Sequence, residues 1–414
     1  MTTISVIGPG PIGTPDTASL TWQVYSSFDQ LRMMRREWDC FVEKLDGNIY
    51  SSFDWCRVWW QYYGANRDLL VVVFRAGQEL VGLVPMFVEG VSLGPVSLRV
   101  AKLLVSDHTL ALCDPPVRTE YARMVFETLL EVLMCDYGCD AVAFRPLSGF
   151  CNAFQVLREI FDQRTDLGTI ARSEVIGSNT MFELPERFED YLAGLKSGDR
   201  RNYQRRYRLL TKSFDLLEDV VRDPTEAERE FGNFTDIHRL QWMSEGKLGH
   251  FWDWPKGKAF HLELVRSQAR LGRLRLYCLR ANGEVISSQY GYVFGHSLHW
   301  YLSARAIGTQ WKRFGLGRIG LAKTVESAIG EGVRRIEAGC GHYTYKLAMG
   351  GREYALRSML IVAPGMSSWL RQRLFCLGAD ALNLLYYRIF FSRVAPLLPW
   401  RQRPLWRTWI RSRL

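Results

Sequence analysis

Residues 273–305, RLRLYCLRANGEVISSQYGYVFGHSLHWYLSAR, alternate apolar and polar side chains in three runs, broken at Asn282-Gly283 and at Gly295-His296. Alternation with a period of two sends successive side chains to opposite faces of a sheet, and Gly-containing two-residue breaks are hairpin turns. The stretch therefore predicts three consecutive antiparallel strands. The sequence after it narrows the choice further. WKRFGLGRIG (311–320) leads into RIGLAKTVESAIGEG (318–332), which reads as a helix, and VRRIEAG (333–339) reads as a strand. The order strand, glycine loop, helix, strand calls for an α/β (α+β) architecture, a mixed and mostly antiparallel sheet flanked by helices.

The first half repeats this order without repeating the letters. SSFDWCRVWWQYYG (51–64) has a helical apolar pattern, LLVVVFRAGQELVGLVPMFVEG reads as a hairpin around Gly77-Gln78, RTEYARMVFETLLEVLMCDYG (118–138) as a helix, and CDAVAFRPL (139–147) as a buried strand. In the second half, residues 188–210 read as one helix and 226–246 as another, ended by glycine. A chain of 414 residues is long enough for two cores. The expected division is a flexible arm over 1–20, one domain over 21–170, a second over 171–363, and a tail over 364–414.

An apolar share of 47% and a charged share of 23% are those of an ordinary globular protein. The net charge of +10 suggests nucleic acid until it is located: residues 364–414 hold nine arginines, no lysine and one acid, Asp380, so the tail carries +8 and the other 363 residues +2. The nine cysteines show no zinc spacing, and no metal site is predicted. The Gly/Pro/Thr-rich start lacks the apolar core of a secretory signal, so reduced thiols and a cytoplasmic location are expected.

In the opening glycine stretch, Gly315 and Gly317 allow the backbone close to a ligand, the helix start offers unpaired N–H groups, and Lys312 and Arg313 add positive charge. The pattern suits a pyrophosphate; its ordinary alternative is a tight strand-to-helix turn. The pattern basic-x-x-Gly-x-Gly resembles the acyl-CoA pyrophosphate loop of GNAT acyltransferases, with Lys312 where glutamine or arginine is usual. DRRNYQRRYRLL (199–210), IHRLQWMSEGKLGHF (237–251) and IEAGCGHYTYKLAMGG (336–351) narrow the resemblance to the FemAB-like, CelD-type branch, over about residues 50–362.

This resemblance implies tandem GNAT-like domains and an acyl-CoA (acetyl-CoA) co-substrate inserted between splayed strands near 298–305 and 333–339. It implies that Lys312, Arg313, Gly315, Leu316 and Gly317 hold the co-substrate. Glu337 matches the family's acidic position and is the candidate general base, unless it is simply paired with Arg334 or Arg335. Lys346 matches the lysine of the Tyr-Lys signature, expected at a phosphate or the reacting carbonyl, and Tyr345 could protonate a leaving thiolate. His342, in a glycine-flanked turn, ranks below them. His238 and Trp242, four apart on one helical face, would line the acceptor pocket, or else are core. Arg201, Arg205 and Arg208 share one side of a helix, with Arg206 adjacent; that face is solvated or meets an anionic acceptor such as a nucleotide-linked sugar.

The stretch 369–400 is apolar but interrupted by charge, and RQRPLWRTWIRSRL alternates arginine with tryptophan, leucine and isoleucine. That composition suits either a helical cap on the fold or a segment lying on an anionic membrane, which would place the chain on the inner membrane face. The function expected is acyl transfer from acyl-CoA to an amine or hydroxyl of a sugar or envelope precursor. The alternatives are FemAB-like transfer from aminoacyl-tRNA, the one case that involves nucleic acid, and a non-catalytic scaffold of a polysaccharide synthesis complex.

Overall fold

The computed structural model describes residues 20–394, apart from Leu110, together with residue 397. The arm expected over 1–20 and the arginine-rich end of the tail thus fall almost entirely outside the described residues. Two compact units divide the described residues: 20–176 with 356–394 form the first, and Gly177–Ala355 with Leu397 the second.

In the first unit the chain runs β1 (Leu20–Tyr25), α1 (Arg35–Lys44), α2 (Phe53–Tyr63), β2 (Asp68–Ala76), β3 (Glu79–Leu93), β4 (Val96–Leu103), α3 (Ala122–Glu131), β5 (Ala141–Ser148) and α4 (Ala153–Gln163). β6 (Thr169–Glu183) leads into the second unit: α5 (Phe188–Gly194), α6 (Ser197–Ser213), β7 (Leu216–Val221), α7 (Pro224–Ser244), α8 (His250–Asp253), α9 (Gly257–Arg270), β8 (Leu274–Ala281), β9 (Glu284–Phe294), β10 (Ser297–Arg305), α10 (Thr309–Lys312), α11 (Leu316–Gly330), β11 (Arg335–Cys340) and α12 (Thr344–Ala348). β12 (Arg352–Val362) returns to the first unit, followed by α13 (Met366–Asn383), which continues in π-helical turns over Leu384–Val394.

The two units share a strand order. The first reads β1-β2-β3-β4-β5-β12 and the second β7-β8-β9-β10-β11-β6. Both have antiparallel neighbours except at one step: β4 runs parallel to β5, and β10 parallel to β11. The mixed, mostly antiparallel sheet and the repeated order are as expected from the sequence. The three strands over 273–305 form with turns at Asn282 and Gly283, both at positive φ, and at Gly295.

One reading is corrected. Residues 188–210 are two helices, because Leu195 and Lys196 are extended between α5 and α6. Glycines at 194 and 198 weaken helical propensity on both sides of the break, and burial of Leu195 holds it. The helix expected over 226–246 spans Pro224–Ser244, its start fixed by Asp223 accepting from the Thr225 N–H at 2.7 Å and by Pro224 in the first turn.

The core of the second unit packs Phe182, Leu298, Trp300, Phe314, Leu316, Leu321, Val325 and Ile336 with Tyr203 and Leu210 of α6. Burial of eight large apolar side chains at about 2 kcal/mol each is more than enough to fix α6 and α11 against the sheet. That fixing places the site.

Candidate active site at the opening between two parallel strands

β10 and β11 pair over only three positions, Ser297↔Arg335, Leu298↔Ile336 and His299↔Glu337. Beyond them β10 continues to Arg305 and β11 to Cys340 without pairing, so the strands diverge. Two irregularities sit at the divergence. β10 bulges between Trp300 and Leu302, and the β11–β6 register shifts between Glu337 and Cys340. Gly291, across from the bulge, is crowded: a Cβ there would lie 2.6 Å from the His299 carbonyl oxygen. Glycine is what lets β9 follow the bulged strand.

Lys346, on α12, is turned inward at this opening and is 4% exposed. Its Nζ donates to the carbonyl of Ala338 at 2.6 Å and to that of Gly339 at 3.3 Å, and lies over the rings of Tyr343 and Trp300. The lysine thus binds carbonyls of the diverging end of β11. Burial pushes its amine down to about 8. Tyr345, beside it, packs against the core, and burial raises its phenol to about 12.

Glu337 is nearly buried at the last paired position. Its Oε2 accepts from the Tyr354 hydroxyl at 2.7 Å and the Asn179 amide at 3.2 Å, while Oε1 lies 3.3 Å from Arg335 Nε. Both carboxylate oxygens are therefore already engaged. His299, its cross-strand neighbour, is driven to about 3 by burial and then by repulsion from Arg335, so it is neutral near pH 7.

The glycine loop lies at the far end of β10. Gly315 caps α11 in the left-handed conformation, φ 67° and ψ 49°. A Cβ added there would collide with the guanidinium of Arg206, whereas at Gly317 the nearest atom would be Arg305 Cδ at 3.8 Å. Arg206 comes from α6 and is oriented by Asn202, whose Oδ1 accepts from its Nε at 2.8 Å. The helical period explains why Arg206 and not its neighbours reaches the loop: Tyr203, Tyr207 and Leu210 face inward, and Arg206 shares that side, while Arg201, Arg205 and Arg208 point to solvent. Lys312 and Arg313 lie exposed beside the loop, and Leu316 is buried. The loop thus offers a helix N-terminus, two Cβ-free positions and several cations, a set that fits a pyrophosphate.

His238 and Trp242 do share a face of α7, and they bond to each other: the indole N–H donates to His238 Nε2 at 2.8 Å. His238 is fully buried among Phe234, His250 and Phe251, and burial, with His250 and His261 nearby, keeps it uncharged. The cluster reaches the bulge of β10 through His261, whose ring is 5.0 Å from that of Tyr301. His342 sits apart from these groups, exposed and 2.9 Å from Glu353. Sequence reasoning missed Arg206 as the loop contact, Asn179 and Tyr354 as partners of Glu337, and Trp300 beside Lys346. Of these only Arg206 carried a local signal, its place on the inward side of the α6 pattern.

The corresponding step in the first unit is filled. Lys102, the last β4 residue paired with β5, lies 2.8 Å from Glu89, and Arg67 bridges Glu89 and Asp107 at 2.8 and 3.0 Å, all largely buried. Burial would raise Asp107, but Lys102 and Arg67 hold it low. These paired charges lie at the end of the β4–β5 pairing, which also covers only three positions. In the second unit a cavity of about 250 Å³ lies elsewhere, between α11 and β7–β9, where Lys323 is pinned by Glu218 and Glu326. Its lining includes neither Gly315 nor Gly317 of the glycine loop, nor any residue of β10 or β11. Among the described residues no cluster of histidine, cysteine and carboxylate side chains could hold a metal ion.

Residues 197–347 match the family model described as acetyltransferase (GNAT) domain. FemX, in its crystal structure, is similar over 78% of this chain and 95% of its own, with a TM-score of 0.58 at 10% identity. A conserved protein of unknown function from Bacteroides thetaiotaomicron VPI-5482 is similar over 80% of this chain and 97% of its own, with a TM-score of 0.50 at 13% identity. A tandem GNAT protein from the clavulanic acid biosynthesis pathway covers 84% of this chain and 100% of its own, with a TM-score of 0.43 at 12% identity. No curated protein is matched by the sequence.

Proposed function

We propose that the second unit, in which residues 197–347 match the acetyltransferase (GNAT) domain model, transfers an acyl group from acyl-CoA to an amine or hydroxyl of a sugar or cell-envelope precursor, as in the CelD-type branch. The observation that carries the reading is the divergence of β10 from β11 next to a glycine-capped helix. The unpaired edge of β10 offers main-chain donors and acceptors to an extended amide chain, and the α11 N-terminus with Arg206, Lys312 and Arg313 holds its phosphates. The thioester supplies an activated carbonyl.

The chain's own groups then have distinct parts. Lys346 fixes the diverged end of β11 through the Ala338 and Gly339 carbonyls. Glu337, held by Tyr354, Asn179 and Arg335, positions the acceptor's donor group and takes its proton through a short relay. Tyr345, raised by burial, stays protonated and able to donate to a departing thiolate. The exposed arginine face of α6 (Arg201, Arg205, Arg208) suits an acceptor carrying phosphate. The likeness to FemX supports a second reading, an aminoacyl donor carried on tRNA, for which the same arginines would meet backbone phosphates.

Calorimetric titration with acetyl-CoA and longer acyl-CoAs separates them. Saturable binding supports the acyl-CoA reading; no binding to any acyl-CoA, with binding of charged tRNA, overturns it.

A further inference from the structure

The helix after β12 belongs to neither the opening nor the glycine loop, yet it carries nine of the twenty exposed large apolar side chains among the described residues. Met366, Trp369, Leu370, Leu374, Leu377, Leu384, Leu385 and Ile389 are each at least 42% exposed. On a helical wheel those of α13 occupy one arc of about 140°, opposite the arc of Ser368, Gln372 and Phe375, which is buried. The helix is anchored to the first unit. Phe375 packs with Leu98, Val100, Leu360 and Val362, Asp140 accepts from Ser368 at 2.9 Å and pairs with Arg371, and Arg172 lies 3.3 Å from Asp380. Among the described residues the apolar side chains of the outer arc are exposed, and a contiguous apolar surface of this size marks a contact site.

Met366–Val394 is long and apolar enough to cross a membrane by length and composition. A span would strip Phe375 and both ion pairs from the first unit, so this anchoring favours a helix that keeps its place and lies flat. Charge selects the surface it meets. Arg373 falls within the apolar arc and exposed Arg388 follows on the π-helical continuation; the acid in that arc, Asp380, is paired with Arg172, and the sequence from 364 to 414 carries nine arginines against one acid. Two such faces packed together would set like charges against each other, whereas an anionic bilayer complements them. Long arginine stems can lie along the apolar surface with their heads at the phosphate level, and Arg373 already lies over the Trp369 ring.

We infer that the outer face of α13 docks the protein in the plane of an anionic lipid surface. The experiment is flotation of the full chain with vesicles of phosphatidylcholine alone and of phosphatidylcholine containing phosphatidylglycerol. The protein floats with the anionic vesicles, less so at high salt, and Leu370→Glu with Leu377→Glu reduces binding by about tenfold or more without lowering the melting temperature. Arg373→Glu with Arg388→Glu reduces it as well, by removing charge and not apolar area. Absence of flotation with either vesicle overturns the proposal. So does a dimer in sedimentation that Leu377→Glu dissolves without any vesicle binding, which would assign the face to a second copy. Retention in bilayers after alkaline carbonate overturns it in favour of a span.

Discussion

Gly315 and Gly317 differ in what a side chain would do to them, and that difference separates a ligand loop from a plain turn. Gly315 is left-handed, where an L-residue costs about 1–2 kcal/mol. For a unit the size of Gly177–Ala355, that lowers the melting temperature by about 3–6 °C. The added Cβ also displaces the guanidinium of Arg206. Losing one charge-assisted contact to a phosphate is worth about 1.5–3 kcal/mol, so Gly315→Ala binds acyl-CoA about ten- to a hundredfold more weakly. Gly317 is helical with free space around it, and Gly317→Glu puts a carboxylate in the first turn of α11, which stabilises the helix by about 0.3–1 kcal/mol. The same carboxylate repels a pyrophosphate. Gly317→Glu should therefore melt no lower than the parent and yet lose acyl-CoA binding. Thermal melts and calorimetry on the three proteins read both quantities. If Gly317→Glu binds acetyl-CoA as the parent does, and Gly315→Ala loses stability alone, the loop is a turn and the reasoning fails.

His261 and His299, both driven to about 3 by burial, are neutral when folded but gain a proton near pH 6.5 when unfolded. Their stabilisation is therefore present above pH 6.5 and lost as pH falls toward 3, by up to about 5 kcal/mol each, and His299→Gln should move the midpoint of acid unfolding downward; an unchanged midpoint refutes this. Lys346 acts with the same sign at higher pH: with its amine lowered to about 8 by burial, stability rises as pH increases from about 8 to 10.5, by about 3 kcal/mol, and denaturant melts of Lys346→Met should lack that rise. Tyr354→Phe removes one bond to Glu337 and should cost about 1 kcal/mol, while Glu337→Gln, which also leaves Arg335 without its carboxylate, costs about 1–3 kcal/mol in the same melts.

The second unit's strands could be read because their signal is local. β8, β9 and β10 are consecutive, alternate apolar and polar residues in sequence and are joined by glycine turns, although the fold buries them on both faces. Elements that depend on distant partners gave no such signal. Over much of its length β6 is polar and partly exposed, β7 is a charged edge strand, and β12 finds β5 across two hundred residues of sequence. The site divides in the same way. Gly315 and Gly317 announce a close approach at their own positions, but Glu337 acquires Asn179 and Tyr354 from strands 158 and 17 residues away, a meeting that no spacing encodes. Lys346 looked like a lysine that reaches a ligand; the five-residue helix α12 instead turns it inward onto carbonyls of its own chain. On α6 the exposed arginines drew notice by number, while the one on the buried side meets the loop.

The central claim is that an acyl-CoA lies in the opening between β10 and β11 with its phosphates on the α11 N-terminus. Hydrogen exchange of the full chain with and without acetyl-CoA measures this directly. The account predicts slowed exchange at the amides of residues 313–317 and along the unpaired part of β10, with no change in β2–β5 of the first unit. Protection confined to the first unit, or to the cavity between α11 and β7–β9, would contradict it.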